Sequence, residues 1–467
     1  MRMFAFAVLI TITSSVAAEE LVVARVPFVS LSDIHFDPYS DPSLVDKLVA
    51  AEATQWDAIF QSSSITGPSS YGSDTNYPLL QSLLEELATR RPRFVIISGD
   101  FLGHDFPELF QRYSSDKSAQ AYARFAATTV QFLAASLEKA FPGVPIYPAL
   151  GNNDSDCGDY ELTPNGQFLK VFTDAWTSAV GRSSSFAGDF PAGGYYWVDP
   201  PALRGTRIVV LNTVFFSLNY DNACGPAGAD PGATQLTWLN RTLRSAARQN
   251  KRVWLLYHIP PGVNVYSTIS RGGACPTPSM FWQSQYAGPF AALVAQYKPV
   301  IAASFAGHTH MDDFRVTPSA TQNAGGFIHI TPAVSPLFTN NPAYQVFSTG
   351  TNGVVSDFTS YFLPLGAGHP RWQQEYQFTT AYDEPSYSTD ALRALIALIA
   401  RETATRALYM KFYVSSNPNS RTITNSNWRA YWCGTQNLIA DDFTRCLCVN
   451  PPPDQDLGLA APRSGGS

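Results

Sequence analysis

Five short motifs run down the chain in a fixed order: Asp33-x-His35, Gly99-Asp100, Gly151-Asn152, His258 and Gly307-His308-Thr309-His310. Together they offer two carboxylates, four imidazoles and one amide carbonyl. Such a mixture suits borderline divalent ions such as Zn²⁺, Mn²⁺ or Fe²⁺. The set is large enough to hold two ions that share a carboxylate, and paired ions are a standard means of hydrolysing phosphate esters. Asp100, after the turn expected at Gly99, is the natural bridging carboxylate. His308 and His310 flank Thr309, so one can serve each ion. Asp33 and His35 alternate along a segment read as extended, which would project both in a similar direction. Taken singly, each residue has a plainer explanation, as a turn former, a helix cap or a packed loop histidine. Taken as a set they do not, because five of the seven histidines (His35, His104, His258, His308 and His310) fall within or beside the motifs.

Nearly every motif follows a short apolar run of strand character. These runs cover residues 21–31, 94–97, 144–150, 253–257 and 301–305, with further strands expected at 207–216 and 327–330. Helical patterns lie between them at 43–60, 79–90, 118–140, 235–249 and 286–297. Alternating strands and helices predict a layered α/β domain. In such domains functional groups collect where strands end and loops begin. Beyond residue 331 the composition changes. Residues 332–370 read as long loops with short strands closing the sheet, and 390–410 as a helix capped by Asp390. Residues 428–448 carry aromatics and three cysteines, ahead of a Pro-rich tail. The expected division is a leader at 1–18, a catalytic domain at 19–369, a small helical, disulfide-stapled subdomain at 370–450 and a flexible tail at 451–467.

The 467 residues are 45% hydrophobic, ample for a large core. A net charge of −6 and the lack of a basic stripe exclude a general nucleic-acid binder. Arg2, the apolar run 4–16 and the small residues Val16-Ala17-Ala18 read as a secretory signal peptide. No other segment approaches the length of a transmembrane helix. The expectation is therefore a secreted or periplasmic protein, read as a monomer. Six cysteines in an exported protein imply disulfides, and sequence alone allows fifteen pairings. Asn240-Arg241-Thr242 and Asn153-Asp154-Ser155 match the glycosylation sequon.

The ordered motifs resemble the calcineurin-like metallophosphoesterase superfamily. The closer resemblance is to its acid sphingomyelinase-like phosphodiesterase branch, carried by Gly99-Asp100-Phe101-Leu102-Gly103-His104-Asp105 and His258-Ile259-Pro260-Pro261-Gly262. It spans roughly residues 27–450. The resemblance implies a four-layer α/β sandwich, two β-sheets flanked by helices, with a helical C-terminal extension. It implies one ion on Asp33, His35, Asp100 and His310, and another on Asp100, Asn152, His258 and His308, with zinc the first expectation and manganese or iron alternatives. It implies attack on phosphorus by a hydroxide bridging the ions. It also implies the disulfides Cys224–Cys275 and Cys433–Cys446, with Cys157–Cys448 as the remainder.

One position departs from the branch. Relatives usually carry Gly-Asn-His-Asp or Gly-Asn-His-Glu, and that His binds phosphate or protonates the leaving oxygen. Here the run is Gly151-Asn152-Asn153-Asp154. Asn153 donates a hydrogen bond but delivers no proton. His104, at the branch position after Gly-Asp, is then the candidate leaving-group acid. Gly-Asn-Asn-Asp is the form seen in endopolyphosphatase relatives. It moves weight toward phosphoanhydrides, so polyphosphate stands beside phosphate esters as substrate. The competing reading is a catalytically inactive phosphate- or metal-binding protein, and retention of all seven ligands argues against it. The aromatics Phe281, Trp282, Phe358 and Phe362 are expected in core or pocket wall rather than on a lipid-docking surface.

Overall fold

The computed structural model describes residues 25–182, 184–225, 228, 230–317 and 326–449. The expected leader and tail lie outside them. The strands are β1 (Arg25–Leu31), β2 (Val95–Ile97), β3 (Ile146–Pro148), β4 (Tyr196–Val198), β5 (Thr206–Val210), β6 (Arg252–Leu256), β7 (Val263–Asn264), β8 (Ser279–Met280), β9 (Ile301–Ala306), β10 (Asp313–Val316), β11 (Phe327–Ile330), β12 (Ala343–Gly350), β13 (Val355–Phe362) and β14 (Gln373–Gln377). They form two six-stranded sheets, ordered β14-β13-β12-β1-β2-β3 and β10-β11-β9-β6-β5-β4, and a short β7-β8 ribbon. In the first sheet β1, β2 and β3 run parallel. In the second, β5, β6, β9 and β11 do. Parallel strands must be covered on both faces, which explains their continuous apolar runs.

The two sheets stack through a cluster of aromatic rings. Phe28 on β1 packs on Phe94 (4.9 Å between ring centroids), on Phe347 of β12 (5.0 Å), on Trp254 of β6 (5.2 Å) and on Phe305 of β9 (5.7 Å). Helices Tyr77–Ala88 and Ala119–Ala140 lie on the first sheet's side, and Pro231–Arg248 and Ser284–Gln296 cover the second. Polar residues fix where three of them start. The side chain of Asn76 accepts from Leu79 N, that of Ser118 from Ala121 N and that of Asp230 from Ala233 N. The result is the expected four layers: helix, sheet, sheet, helix.

Several local expectations are corrected. The strand read at 207–216 stops at Val210. The Asn212 side chain accepts from Val214 N and starts a 3-10 turn at Thr213–Phe216. The helix read at 43–60 is broken by extended backbone at Ala51 and a capping box between Glu52 and Gln55. Ser388, not Asp390, caps the helix Thr389–Arg401, and extended Glu402 separates it from Thr403–Tyr413. Helices Phe106–Tyr113, Gln167–Val180 and Phe186–Gly193 were not foreseen. The 332–370 region holds two eight-residue strands, with β12 central beside β1. Its polar residues disguised it, because Gln345 and Ser360 are buried but hydrogen-bonded, to Asp312 and Glu375.

The segment after residue 369 contributes β14 to the edge of the first sheet before turning helical. The disulfides are Cys157–Cys224, Cys275–Cys448 and Cys433–Cys446. Only the last matches the implied set. Cys157 meets Cys224 because the loops around Tyr160 and Asp221 bond to each other. Cys275 meets Cys448 because helix Val265–Ser270 packs against Trp428–Gly434, where Gly434 backs onto Val265. The two sequons differ in exposure, Asn240 being partly exposed and Asn153 buried. Asn240 lies within a helix and accepts from Tyr297 OH at 2.9 Å, and Asn153 is buried. Phe281, Trp282, Phe358 and Phe362 are buried, as expected.

Glu375 on β14 is held by Ser360 and Ser416, and desolvation pushes its carboxyl up to about 7. A folded-state pKa above the unfolded value means stability that is full below about 4.5 and lost as pH rises through about 7. Glu375→Gln removes that limb. Its melting temperature relative to wild type should climb between pH 4.5 and pH 7 and then level off, as followed by circular dichroism.

Candidate metal centre

Every candidate motif lies at the C-terminal end of a parallel strand, and all of these ends share one edge of the sandwich. Past β1 and β2 the backbone keeps pairing as it leaves the sheet. Asp33 N donates to Gly99 O (3.0 Å), His35 N to Asp100 O (3.0 Å) and Phe36 N to Phe101 O (2.8 Å). The second sheet joins through His308 N, which donates to both Asp33 carboxylate oxygens at 3.1 and 3.0 Å.

The expected extended geometry at Asp33 and His35 is corrected. Their φ values are 50° and 43°. Asp100, His308 and His310 also have positive φ, at 58°, 74° and 63°. For residues with a Cβ this conformation costs on the order of 1–3 kcal/mol each and persists only when the surroundings dictate it. Here the inter-loop hydrogen bonds dictate it. The glycines of the motifs serve close approach. A Cβ on Gly151 would collide with the Asp100 carboxylate, and one on Gly307 with Ser32 Oγ and the Asp33 carboxylate.

All seven candidate ligands converge into two groups. In one, His35 Nε2 faces His310 Nε2 at 3.0 Å, with Asp33 Oδ1 3.7 Å from the first and 3.5 Å from the second. In the other, His258 Nε2 lies 3.0 Å from Asn152 Oδ1 and 3.2 Å from His308 Nδ1. Asp100 Oδ2 sits between them, 3.4 Å from His35 Nε2 and 3.1 Å from His258 Nε2. The tautomers are set from behind. His35 Nδ1–H donates to Leu102 O and His258 Nδ1–H to Ser98 O, which aims each Nε2 inward.

Burial lowers the pKa of His35, but the charges of Asp100 and Asp33 outweigh it and hold the imidazole at about 10. His258 is held at about 9 by the same balance, with Asp100 the main charge. His308 and His310 are pushed down to about 3, chiefly by burial, with neighbouring imidazolium charge adding to it. Asp33 and Asp100 stay ionised. Burial acts against this, but the surrounding histidines overcome it. Each facing pair of imidazoles thus shares one proton, and inward-facing nitrogens crowd around two carboxylates. That donor chemistry fits divalent cations.

His104 stacks on His35 with centroids 4.0 Å apart and lines the adjoining cavity. Asn153 is in the cluster but does not face the cavity. Its N–H donates to Asp100 Oδ1 (2.9 Å) and its Nδ2 to Asp100 Oδ2 (3.2 Å). Two residues were missed. Asp74 accepts from His104 N (2.7 Å), His104 Nδ1 (3.1 Å) and Ser335 Oγ (2.8 Å). Burial opposes its charge, but the His104 contacts prevail and hold its carboxyl at about 2. Asp154 accepts from the backbone N–H groups of Asp100, Phe101, Leu102 and Gly151, tying the two loops together. Asp154 was visible as the last letter of Gly-Asn-Asn-Asp, whereas Asp74 sits in a polar loop that carries no signal.

Gly151→Ala should therefore displace Asp100, lowering both melting temperature and bound divalent-metal content per molecule by mass spectrometry. Gly188→Ala is the control. Its added Cβ meets nothing within 4 Å, and it lies in the helix Phe186–Gly193, so it should hold or raise stability.

Comparison with known proteins identifies the family. The sequence profile described as calcineurin-like phosphoesterase matches residues 26–312. The chain is similar to sphingomyelinase phosphodiesterase D of Dictyostelium discoideum, at 27% identity over 76% of this chain and 78% of that protein. It is similar to acid sphingomyelinase-like phosphodiesterase 3b of Mus musculus, at 26% over 90% and 89%. It is also similar to the cyclic GMP-AMP phosphodiesterase of Mus musculus, at 25% over 90% and 91%. Among solved structures, similarity is found to PhoD (TM-score 0.43, 12% identity, 76% of this chain and 69% of that one). A dimetal phosphatase from Danio rerio is also similar (TM-score 0.41, 12% identity, 78% and 99%). The chain belongs to the calcineurin-like phosphoesterase family, a family of metal-dependent phosphoester hydrolases.

Proposed function

We propose that the chain is an exported phosphoesterase that uses two divalent ions to hydrolyse phosphodiester or phosphoanhydride bonds. The observation that carries this reading is the position of Asp100 Oδ2 between His35 Nε2 and His258 Nε2. One ion would be held by Asp33, His35, Asp100 and His310, the other by Asp100, Asn152, His258 and His308. An imidazole-rich set suits zinc best, with manganese or iron also accommodated. When bound, such ions lower the pKa of water and neutralise charge on phosphoryl oxygens. Export is supported by the three disulfides, which persist in oxidising compartments.

The remaining chemistry belongs to side chains. His104 gives Nδ1–H to Asp74, which fixes the ring and leaves Nε2 to protonate a departing oxygen. Asn153 holds Asp100 in place and adds no second acid. A leaving group that needs little protonation therefore suits this protein better than an alkoxide does. Arg421 points to the same substrates. It lines the cavity and is exposed there, so it would offer positive charge to a substrate that is anionic beyond the scissile phosphorus. This favours phosphoanhydrides; alkyl diesters, including those of nucleotides, release an alkoxide and would depend on His104 alone. The alternative within the same chemistry is an endopolyphosphatase.

Initial rates on a bis-aryl phosphodiester, an aryl monophosphate and a linear polyphosphate test the proposal. Activity should vanish with chelator and return with Zn²⁺ or Mn²⁺. Undiminished turnover in chelator would overturn the metal reading. His104→Ala should lower kcat strongly on substrates with poor leaving groups and little on activated aryl phosphates. Asp74→Asn should show the same split more weakly. Because His35 and His258 hold protons up to about 10 and 9, zinc uptake at pH 7 should release about two protons and weaken as pH falls. Calorimetry in buffers of different ionisation enthalpy measures that number.

A further inference from the structure

Asn152 is the one amide among the seven candidate ligands. The two ends of an amide are alike in shape and opposite in chemistry. Its oxygen offers lone pairs to a cation, and its NH₂ group offers only donors. A carboxylate at this position would present an oxygen whichever way it turned, whereas an Asn ligand has to be oriented. Here Asn152 Oδ1 faces His258 Nε2 at 3.0 Å, and Nδ2 donates to Asp159 Oδ1 at 2.7 Å. His258 cannot keep the amide this way round while serving as a ligand. Its Nε2 must then carry a lone pair, and a lone pair attracts the nitrogen end of the amide. An ionised Asp159 only accepts, so it draws the nitrogen end to itself and leaves Oδ1 facing the cluster.

Asp159 is exposed and lines the cavity, so its backbone must fix its place. It sits in a tight turn, where Glu161 N donates to Gly158 O (3.0 Å) and Tyr160 has a φ of 59°. Tyr160 N donates to Asn152 O (2.9 Å), which closes the turn back onto the ligand. Asp221 N donates to Tyr160 O (3.2 Å), and Cys157–Cys224 ties the same two segments covalently. The Tyr160 ring lies edge-on to that of His308, with centroids 6.3 Å apart. One turn therefore supports two ligands of the Asp100, Asn152, His258 and His308 group.

We propose that Asp159 is a positioning residue that holds the Asn152 amide with its oxygen toward the ion of that group. The assignment rests on the two-ion reading. It makes the two ions unequal, because removing Asp159 disturbs a ligand of one and no ligand of the other.

The test titrates metal-free protein with Mn²⁺ by calorimetry and records the electron paramagnetic resonance of the bound ions, which separates a coupled pair from single ions. Wild type should take two ions as a coupled pair. Asp159→Leu removes the acceptor. It should bind one ion roughly ten- to a hundredfold more weakly and the other unchanged, the usual loss when a partner behind a ligand is removed. The melting temperature of the metal-free protein should not fall, because Asp159 is exposed. In Asn152→Ala, where no amide is left to orient, Asp159→Leu should cost nothing further. High Mn²⁺ should restore turnover in Asp159→Leu, because the residue acts on occupancy and not on the reacting atoms. An Asp159→Leu protein that holds both ions as wild type does overturns the assignment. So does an equal loss with and without Asn152, which would make Asp159 a charge near the ion rather than a guide for the amide. A wild type that binds a single ion would fail the two-ion reading instead, and the same cycle on that ion then decides the role of Asp159.

Discussion

A negative charge placed where water cannot reach it governs this structure. Asp100 is almost fully buried, and a buried carboxylate is untenable without compensation. The compensation comes from every side: imidazoles of His35 and His258, the backbone N–H of Asn153 and its side-chain amide. His35, His258 and Asn153 each stand on a different loop. Holding the charge therefore requires four loops from two sheets to arrive at one point. The parallel strands of each sheet make this possible, because their C-terminal ends lie side by side in register.

Strand ends alone do not give the required precision. The loops go on hydrogen-bonding to one another past the sheet, and Asp154 gathers four backbone N–H groups from the Asp100 and Gly151 turns. With the backbone so constrained, five of the seven candidate ligands take positive φ. That strain sits in the site and is offset by bonding around it, the usual arrangement where a site is held ready for charge rather than relaxed for stability. The absence of a Cβ at Gly151 and Gly307 belongs to the same shortage of space. The carboxylates approach the neighbouring backbone more closely than any side chain would allow.

Much of this was legible in the sequence, for physical reasons. Apolar β-branched runs ending in polar motifs reveal strands whose ends carry chemistry, so β2, β6, β9 and β11 were located closely. The seven candidate ligands were legible because their order is fixed by strand order. What stayed hidden depends on tertiary partners. Gln345 and Ser360 read as loop residues because a buried polar side chain looks like an exposed one until its partner is known. Asp74 lies thirty residues before His104 in a polar loop, a separation that no short motif spans, and only the fold brings the two together. Two of the three implied disulfides failed for the same reason, since nothing in the spacing of Cys275 and Cys448 reports that helix Val265–Ser270 packs on Trp428–Gly434.

The two walls of the cavity are held by different physics. The His/Asp wall is fixed by sheet register and inter-loop hydrogen bonds, which form with the core. The opposite wall is carried by β10 and short C-terminal helices, elements too small to be stable alone. Covalent links supply what their packing lacks. Cys433–Cys446 closes the helix that carries Tyr431 onto the segment after it, and Cys275–Cys448 ties that segment to the loop beside Tyr266 across 173 residues. A long closed loop restricts the unfolded state most, so this cross-link favours the wall's assembly without adding rigidity to the cluster. The separation has a consequence for function. Residues that hold charge at the cluster tolerate little change, because each answers to Asp100. Residues of the far wall answer only to one another and to whatever fills the space before them. Selectivity for the substrate's distal part can therefore vary while the proposed chemistry at the cluster stays fixed.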